Sequence, residues 1–174
     1  HTPTRRQRQM CIRDRTWPVN GKFTNDQREI YELVLEAQIS AIQACQSGSA
    51  WDCMHRAASE VISRGLIDLG ILNCSLEEAL GENMDGEFRK FFMHGTGHML
   101  GLDVHDVGGG RQGGKAGPVL LPGMIVTVEP GLYFASWRED IDIPKKYSGI
   151  GIRIEDDVLI TEDGPLVLTD GCPK

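Results

Sequence analysis

The feature that most restricts the fold of this chain is a change of hydrophobic period near residue 90. Before it, apolar side chains recur at helical spacing; after it, short β-type runs are broken by Gly, Pro and Asp. Upstream, Thr24-Asn25-Asp26-Gln27 reads as a capping box, in which the Thr24 hydroxyl accepts from the backbone three residues on while Gln27 reaches back. Ile30, Leu33, Val34, Ala37 and Ala41 follow as one apolar stripe, with Glu29, Glu32 and Glu36 elsewhere on the surface, and Gln46-Ser47-Gly48 stops the helix. A second amphipathic helix is expected from near Ser49, capped by that side chain with Asp52 three residues later. It would turn Met54, Ala57, Ala58, Val61 and Ile62 inward and end at Gly65 or Gly70. A short acidic helix is expected around Leu76–Leu80.

Downstream, Phe91-Phe92-Met93, Ile125–Val128, Ile150–Ile154, Val158–Thr161 and Leu166–Leu168 read as strands. Helices first and strands afterwards predict an α+β fold with the helices packed on one face of a largely antiparallel sheet. With 174 residues, 40% of them hydrophobic, the chain can bury a core. Its net charge of −7 argues against nucleic acid or an anionic membrane as a partner, because both are polyanions and require a basic face. No apolar run approaches the roughly 18 residues needed to cross a bilayer, and no apolar segment follows the basic N-terminus as it would in a signal peptide. Five scattered cysteines without a C-x-x-C spacing fit a reducing, cytoplasmic setting, with Cys45, Cys53 and Cys74 as small buried hydrophobes.

Residues 1–15 stand apart. They hold five arginines against Asp14, a net of +4, so the other 159 residues carry −11. Gln9–Arg15 also resembles the translation of a sequencing-library adapter, and 1–15 is taken as a non-native or disordered segment, with the domain beginning at 16.

The chemistry concentrates in two places. Three of the five histidines, His94, His98 and His105, fall within twelve residues, interleaved with Gly95, Gly97 and Gly101. Those glycines disfavour a helical zinc motif and instead let backbone approach a ligand closely. Glu129 ends a strand and is held there by Pro130-Gly131, while Glu155 ends Ile150–Ile154 and is followed by Asp156-Asp157. Strand alternation places Arg153 and Glu155 on one face and Ile152 and Ile154 on the other. A carboxylate beside an arginine on a strand is either a structural ion pair or a metal ligand backed by a cation; with the histidines, a mixed oxygen and imidazole metal site is favoured. Two motifs are set aside. Gly109-x-x-x-x-Gly114-Lys115 imitates a phosphate loop but has Ala116 in place of the hydroxyl and prolines where a helix should follow. Gly95-x-Gly97 with Gly101 is spaced one residue too widely for a dinucleotide fingerprint.

Three strings, His94-Gly-Thr-Gly-His98-Met-Leu-Gly-Leu-Asp-Val-His105-Asp106, Pro122-Gly-Met-Ile-Val-Thr-Val-Glu129-Pro-Gly-Leu-Tyr133 and Gly149-Ile-Gly-Ile-Arg153-Ile-Glu155-Asp-Asp157, closely resemble the catalytic domain of Xaa-Pro aminopeptidases, the pita-bread metallopeptidases. The resemblance runs over essentially all of 16–174. It implies a pita-bread (creatinase/aminopeptidase-like) α+β fold, incomplete on its N-terminal side, and hydrolysis of the bond between an N-terminal residue and a following proline. It further implies two divalent metal ions, commonly Mn²⁺, and a proline-containing peptide as substrate, and leaves a homo-oligomer open. By motif, His98 matches a histidine ligand, Glu129 a ligand that also handles the proton of the attacking water, and Glu155 a bridging ligand. His94 and His105 match histidines that contact substrate, and Arg153 a residue behind the ligands. The approach through Tyr147-Ser148-Gly149 is more like the aminopeptidase than prolidase, a Xaa-Pro dipeptidase; a non-catalytic pita-bread peptide-binding module is the third reading. One departure stands out. Where the family has a bridging aspartate this chain has Ile12, and Asp14, two residues on, is displaced by about 7 Å. A second family aspartate lies further upstream. Three of five ligands are then present, and the expectation is that this chain binds Mn²⁺ weakly or not at all and does not hydrolyse Xaa-Pro peptides. The missing upstream strands would also leave a sheet edge unpaired.

Overall fold

The computed structural model describes residues 14–102, 104–106 and 117–174. The Gly109–Lys115 motif and Ile12 lie outside them, and of the segment 1–15 only Asp14 and Arg15 fall inside. In order, the chain forms α1 (Asn25–Ala44), α2 (Cys53–Asp68), α3 (Leu76–Leu80), a 3₁₀ turn (Glu87–Lys90), β1 (Leu100–Gly101), β2 (Val104–His105), β3 (Ile125–Val128), β4 (Gly131–Tyr133), β5 (Gly151–Arg153), β6 (Asp156–Thr161) and β7 (Gly164–Val167). Helices precede strands, as the change of period predicts.

α1 begins at the expected capping box, with the Thr24 hydroxyl accepting from the Gln27 N–H at 3.2 Å and the Gln27 side chain accepting from the Thr24 N–H at 3.0 Å. Its stripe of Ile30, Leu33, Val34, Ala37 and Ala41 is buried. α2 packs against it through Gly65, which lies inside the helix and does not end it. A Cβ there would sit 2.2 Å from Leu33 Cδ1, so the glycine opens the groove into which Leu33 fits. The turn out of α2 comes at Gly70, where φ is +68°. α3 has its own capping box between Ser75 and Glu78.

Two expectations are corrected. α2 starts at Cys53, not near Ser49, and Asp52 caps it without a side-chain bond. The reason is tertiary: the Ser49 carbonyl accepts from Leu120 N–H at 2.9 Å and Ala50 bridges Val119, which holds these residues extended. Phe91-Phe92-Met93 is not a strand. The N–H groups of Phe91 and Phe92 both reach Phe88 O at 3.0 Å, continuing the 3₁₀ turn, and the Phe88, Phe91 and Phe92 rings enter the core. Residues of that size satisfy a strand pattern and a buried turn equally well.

All strand pairings among the described residues are antiparallel, but they form three small sheets: β3-β6-β7, β4-β5 and β1-β2. β4 was not expected, since Pro130-Gly131 reads as a turn; Gly131 instead pairs with Arg153. Asp14 and Arg15 join this frame. Arg15 bonds to Asp156 Oδ1 at 2.8 Å and to the Glu155 carbonyl, while Thr16 Oγ1 exchanges bonds of 3.0 Å with Arg153 N–H and C=O. No helix among the described residues is long and apolar enough to cross a membrane.

Candidate metal centre

The segment 96–99 runs antiparallel beside β3. Glu129 N–H donates to Thr96 O at 2.7 Å, Thr127 N–H donates to His98 O at 2.8 Å, and Met99 bridges Val126. This close approach requires Gly97: a Cβ there would lie 1.9 Å from Thr127 O. His98 is thereby set opposite Thr127 and Glu129. The Thr127 hydroxyl accepts from His98 N–H at 3.0 Å and donates to Glu129 Oε1 at 3.1 Å, so one side chain orients both neighbours. Glu155 enters from the break between β5 and β6. Donor atoms of His98, Glu129 and Glu155 all lie within 4.8 Å of one another, although 31 and 26 residues separate them along the chain.

The chemistry of these donors fits a cation. His98 Nδ1 lies 2.9 Å from Met99 O; a carbonyl only accepts, so Nδ1 carries the proton and Nε2 presents its lone pair. Nε2 is 3.4 Å from Glu129 Oε1. Both Glu155 oxygens and His98 Nε2 are buried with no hydrogen-bond partner among the described residues. Buried acceptors facing one another are unfavourable unless a proton or metal ion joins them. The repulsion is visible in Glu155, whose carboxyl is pushed up to about 8, by burial first and then by the Glu129 and Asp14 charges. Burial, Asp156 and Glu129 push Asp157 up to about 6.

The other residues form a rim. His94 Nδ1–H donates to Gly95 O at 2.7 Å, leaving Nε2 to accept from the Tyr133 hydroxyl at 2.9 Å, and burial holds this imidazole below the usual histidine range. The His105 ring stands 4.3 Å from that of His98, following Val104 at a left-handed φ of +75°. Arg153 reaches from β5 to within 3.9 Å of Glu129 Oε2. It also grips Asp14, through Nε at 3.0 Å and through Nη2. The Asp14 carboxylate is therefore engaged by the arginine and is not among the grouped donors. Thr127 and Tyr133 had no place in the sequence argument. Thr127 was legible in principle, being two residues before Glu129 on the same strand face; the Tyr133 contact with His94 spans 39 residues and was not.

A carboxylate and imidazole centre on paired antiparallel strands, with α1 packed against α2 and against β3, β4 and β5, is the arrangement of the pita-bread fold class. The chain belongs to metallopeptidase family M24, which matches residues 11–162. It is 48% identical over 163 residues to the Xaa-Pro aminopeptidase of Haemophilus influenzae, covering 92% of this chain and 35% of that protein. Mouse Xaa-Pro aminopeptidase 3 is 44% identical over 160 residues, at 92% and 29% coverage. Among solved structures, the Pseudomonas aeruginosa aminopeptidase PepP superposes with a TM-score of 0.82 at 47% identity, over 92% of this chain and 35% of that one. Zn-substituted Escherichia coli aminopeptidase P in complex with product gives 0.80 at 46%, over 92% and 34%. The chain thus spans about a third of the length of the curated relatives it matches.

Proposed function

We propose that the protein is a metal-dependent aminopeptidase that hydrolyses the bond between an N-terminal residue and a following proline. The observation that carries this reading is the convergence of His98, Glu129 and Glu155, with His98 Nε2 and both Glu155 oxygens buried and unpartnered among the described residues, in a chain close to half identical to Xaa-Pro aminopeptidases. His98 Nε2 and the two carboxylates would hold divalent metal, and the oxygen-rich set favours Mn²⁺ over thiophilic ions. Such an ion supplies Lewis acidity toward a carbonyl oxygen and acidifies water.

The chain's own groups do the rest. Thr127 occupies Glu129 Oε1, which leaves Oε2 to take a proton and return it to the leaving nitrogen. Arg153, fixed by Asp14, holds positive charge beside that oxygen. His94 stays neutral and is anchored by Tyr133, ready to turn toward substrate, and His105 stands exposed at the rim beside His98. The prolyl nitrogen carries no N–H, so the site need offer it no acceptor. The free thiols of Cys45, Cys53, Cys74 and Cys172 support a reducing, cytoplasmic setting.

The test is hydrolysis by the whole protein with Mn²⁺. Tripeptides with proline second should be cleaved, and Glu129→Gln should lower kcat by about 10²–10⁴-fold while His98→Ala removes the Mn²⁺-induced rise in Tm. Cleavage of Xaa-Pro dipeptides alone would assign the prolidase reaction, and peptide binding without hydrolysis would assign a binding module.

A further inference from the structure

The first turn of α2 faces the segment that carries His94 and His98. Cys53 opens the helix and is only partly buried, as is Cys74, so the sequence expectation of three buried hydrophobes holds for Cys45 alone. Met54 follows, buried, with its Sδ 3.0 Å from where a Gly97 Cβ would be. His55 comes next and makes two contacts with the same segment. Its Nδ1 lies 2.9 Å from Thr96 Oγ1, and its ring centroid stands 5.4 Å from that of Phe92. Both of these partners are buried.

Phe92 and Thr96 flank His94, two residues to either side, and each passes the contact on to the site. The Phe92 ring meets the His94 imidazole edge-on, with centroids 5.0 Å apart and planes at 88°. The Thr96 carbonyl accepts from Glu129 N–H at 2.7 Å. Between them, residues 93–95 belong to no helix or strand, so no ladder of backbone bonds fixes the place of His94. Side chains hold the segment instead. Arg89 donates to the Met93 carbonyl at 2.9 Å and to the His94 carbonyl at 3.1 Å, and His55 grips the two flanking residues. A cavity of about 410 Å³ borders His55, Gly95, Thr96 and Gly97, which leaves the segment room to shift if that grip is lost.

We propose that His55 is a positioning residue for the peptidase reaction: by holding Thr96 and Phe92 it sets the His94 imidazole where substrate meets it. This rests on the aminopeptidase reading above. Thr127 orients His98 and Glu129 from the sheet side; His55 does the same for His94 from the helix side. Removing its ring takes a partner from the buried Thr96 hydroxyl and opens a gap beside Phe92. Residues 93–95 then relax toward the cavity, and a displacement of about 1 Å in a group that must meet substrate lowers the rate by about 10²-fold.

Two readouts on the whole protein test this, one of them without metal or turnover. In metal-free protein with ¹⁵N-labelled histidine, the His94 ring signals, assigned by their loss in His94→Ala, should move in Thr96→Val while those of His105 stay. That variant keeps the side-chain volume and every aromatic ring, and it serves in place of His55→Ala should the latter fail to fold. With Mn²⁺ and a tripeptide carrying proline second, His55→Ala should lower kcat by about 10–100-fold, with KM changed far less. In a His94→Ala background the same substitution should cost almost nothing, because a residue that acts through His94 has nothing left to position. His94 signals that do not move in Thr96→Val, or a His55→Ala loss that is equally large with and without His94, would each overturn the proposal. A wild-type protein that cleaves no Xaa-Pro peptide would refute the aminopeptidase reading instead, and the metal-free signals would still decide whether His55 places His94.

Discussion

Replacing Glu155 by Gln removes a carboxylate whose proton the folded chain holds far more tightly than the unfolded one. Its carboxyl rises from 4.5 to about 8 on folding, chiefly through burial and secondarily through Glu129. For an acid raised in this way the folded state binds the extra proton. The stabilisation is complete below pH 4.5 and is lost as pH rises through about 8. The whole span corresponds to about 5 kcal/mol at 1.4 kcal/mol per tenfold, of which about 3 kcal/mol is already lost at pH 7. Glu155 is fully buried, so solvent screening takes little from this figure. The substituted amide keeps the shape, has no such titration, and brings an N–H₂ that can donate to Glu129. Urea unfolding in chelator from pH 4.5 to 8.5 should show the Glu155→Gln variant gaining on wild type by about 3–5 kcal/mol across the range. Asp157, which titrates near 6, stays in both proteins and cancels in the difference. In the whole protein, added Mn²⁺ should reverse the order, stabilising wild type and leaving the variant unmoved. Parallel pH profiles for the two proteins in chelator would refute the claim that Glu155 sits buried and uncompensated.

Gly97→Ala should destabilise the chain by about 2–3 kcal/mol or more in urea unfolding, because its Cβ meets the backbone carbonyl of Thr127, which no rotamer change can relieve. Thr127→Val should cost about 1–3 kcal/mol by leaving the His98 N–H and Glu129 Oε1 without their shared hydroxyl. In the whole protein it should also weaken Mn²⁺ binding by about 10–100-fold in calorimetry, while a surface control such as Glu60→Gln changes neither.

The amino-acid order by itself determined whatever depends on neighbours within one turn or one strand. The Thr24 capping box, the apolar stripe of α1 and the short helix Leu76–Leu80 stand where the pattern puts them, since a cap or a period is fixed by hydrogen bonds and side-chain directions spanning three or four residues. His98, Glu129 and Glu155 were legible as chemistry for the same local reasons. Ser49 and Phe91–Met93 went otherwise because distant partners, the 118–120 segment and the aromatic core, offered the backbone better bonds than its own neighbours. Only the tertiary structure decided that three donors from three segments converge, that Thr127 bridges two of them, and that Asp14 is held by Arg153 outside the group. Each of those facts is a contact between surfaces buried together, and burial is set by how the helices and strands pack, which no short stretch of sequence encodes.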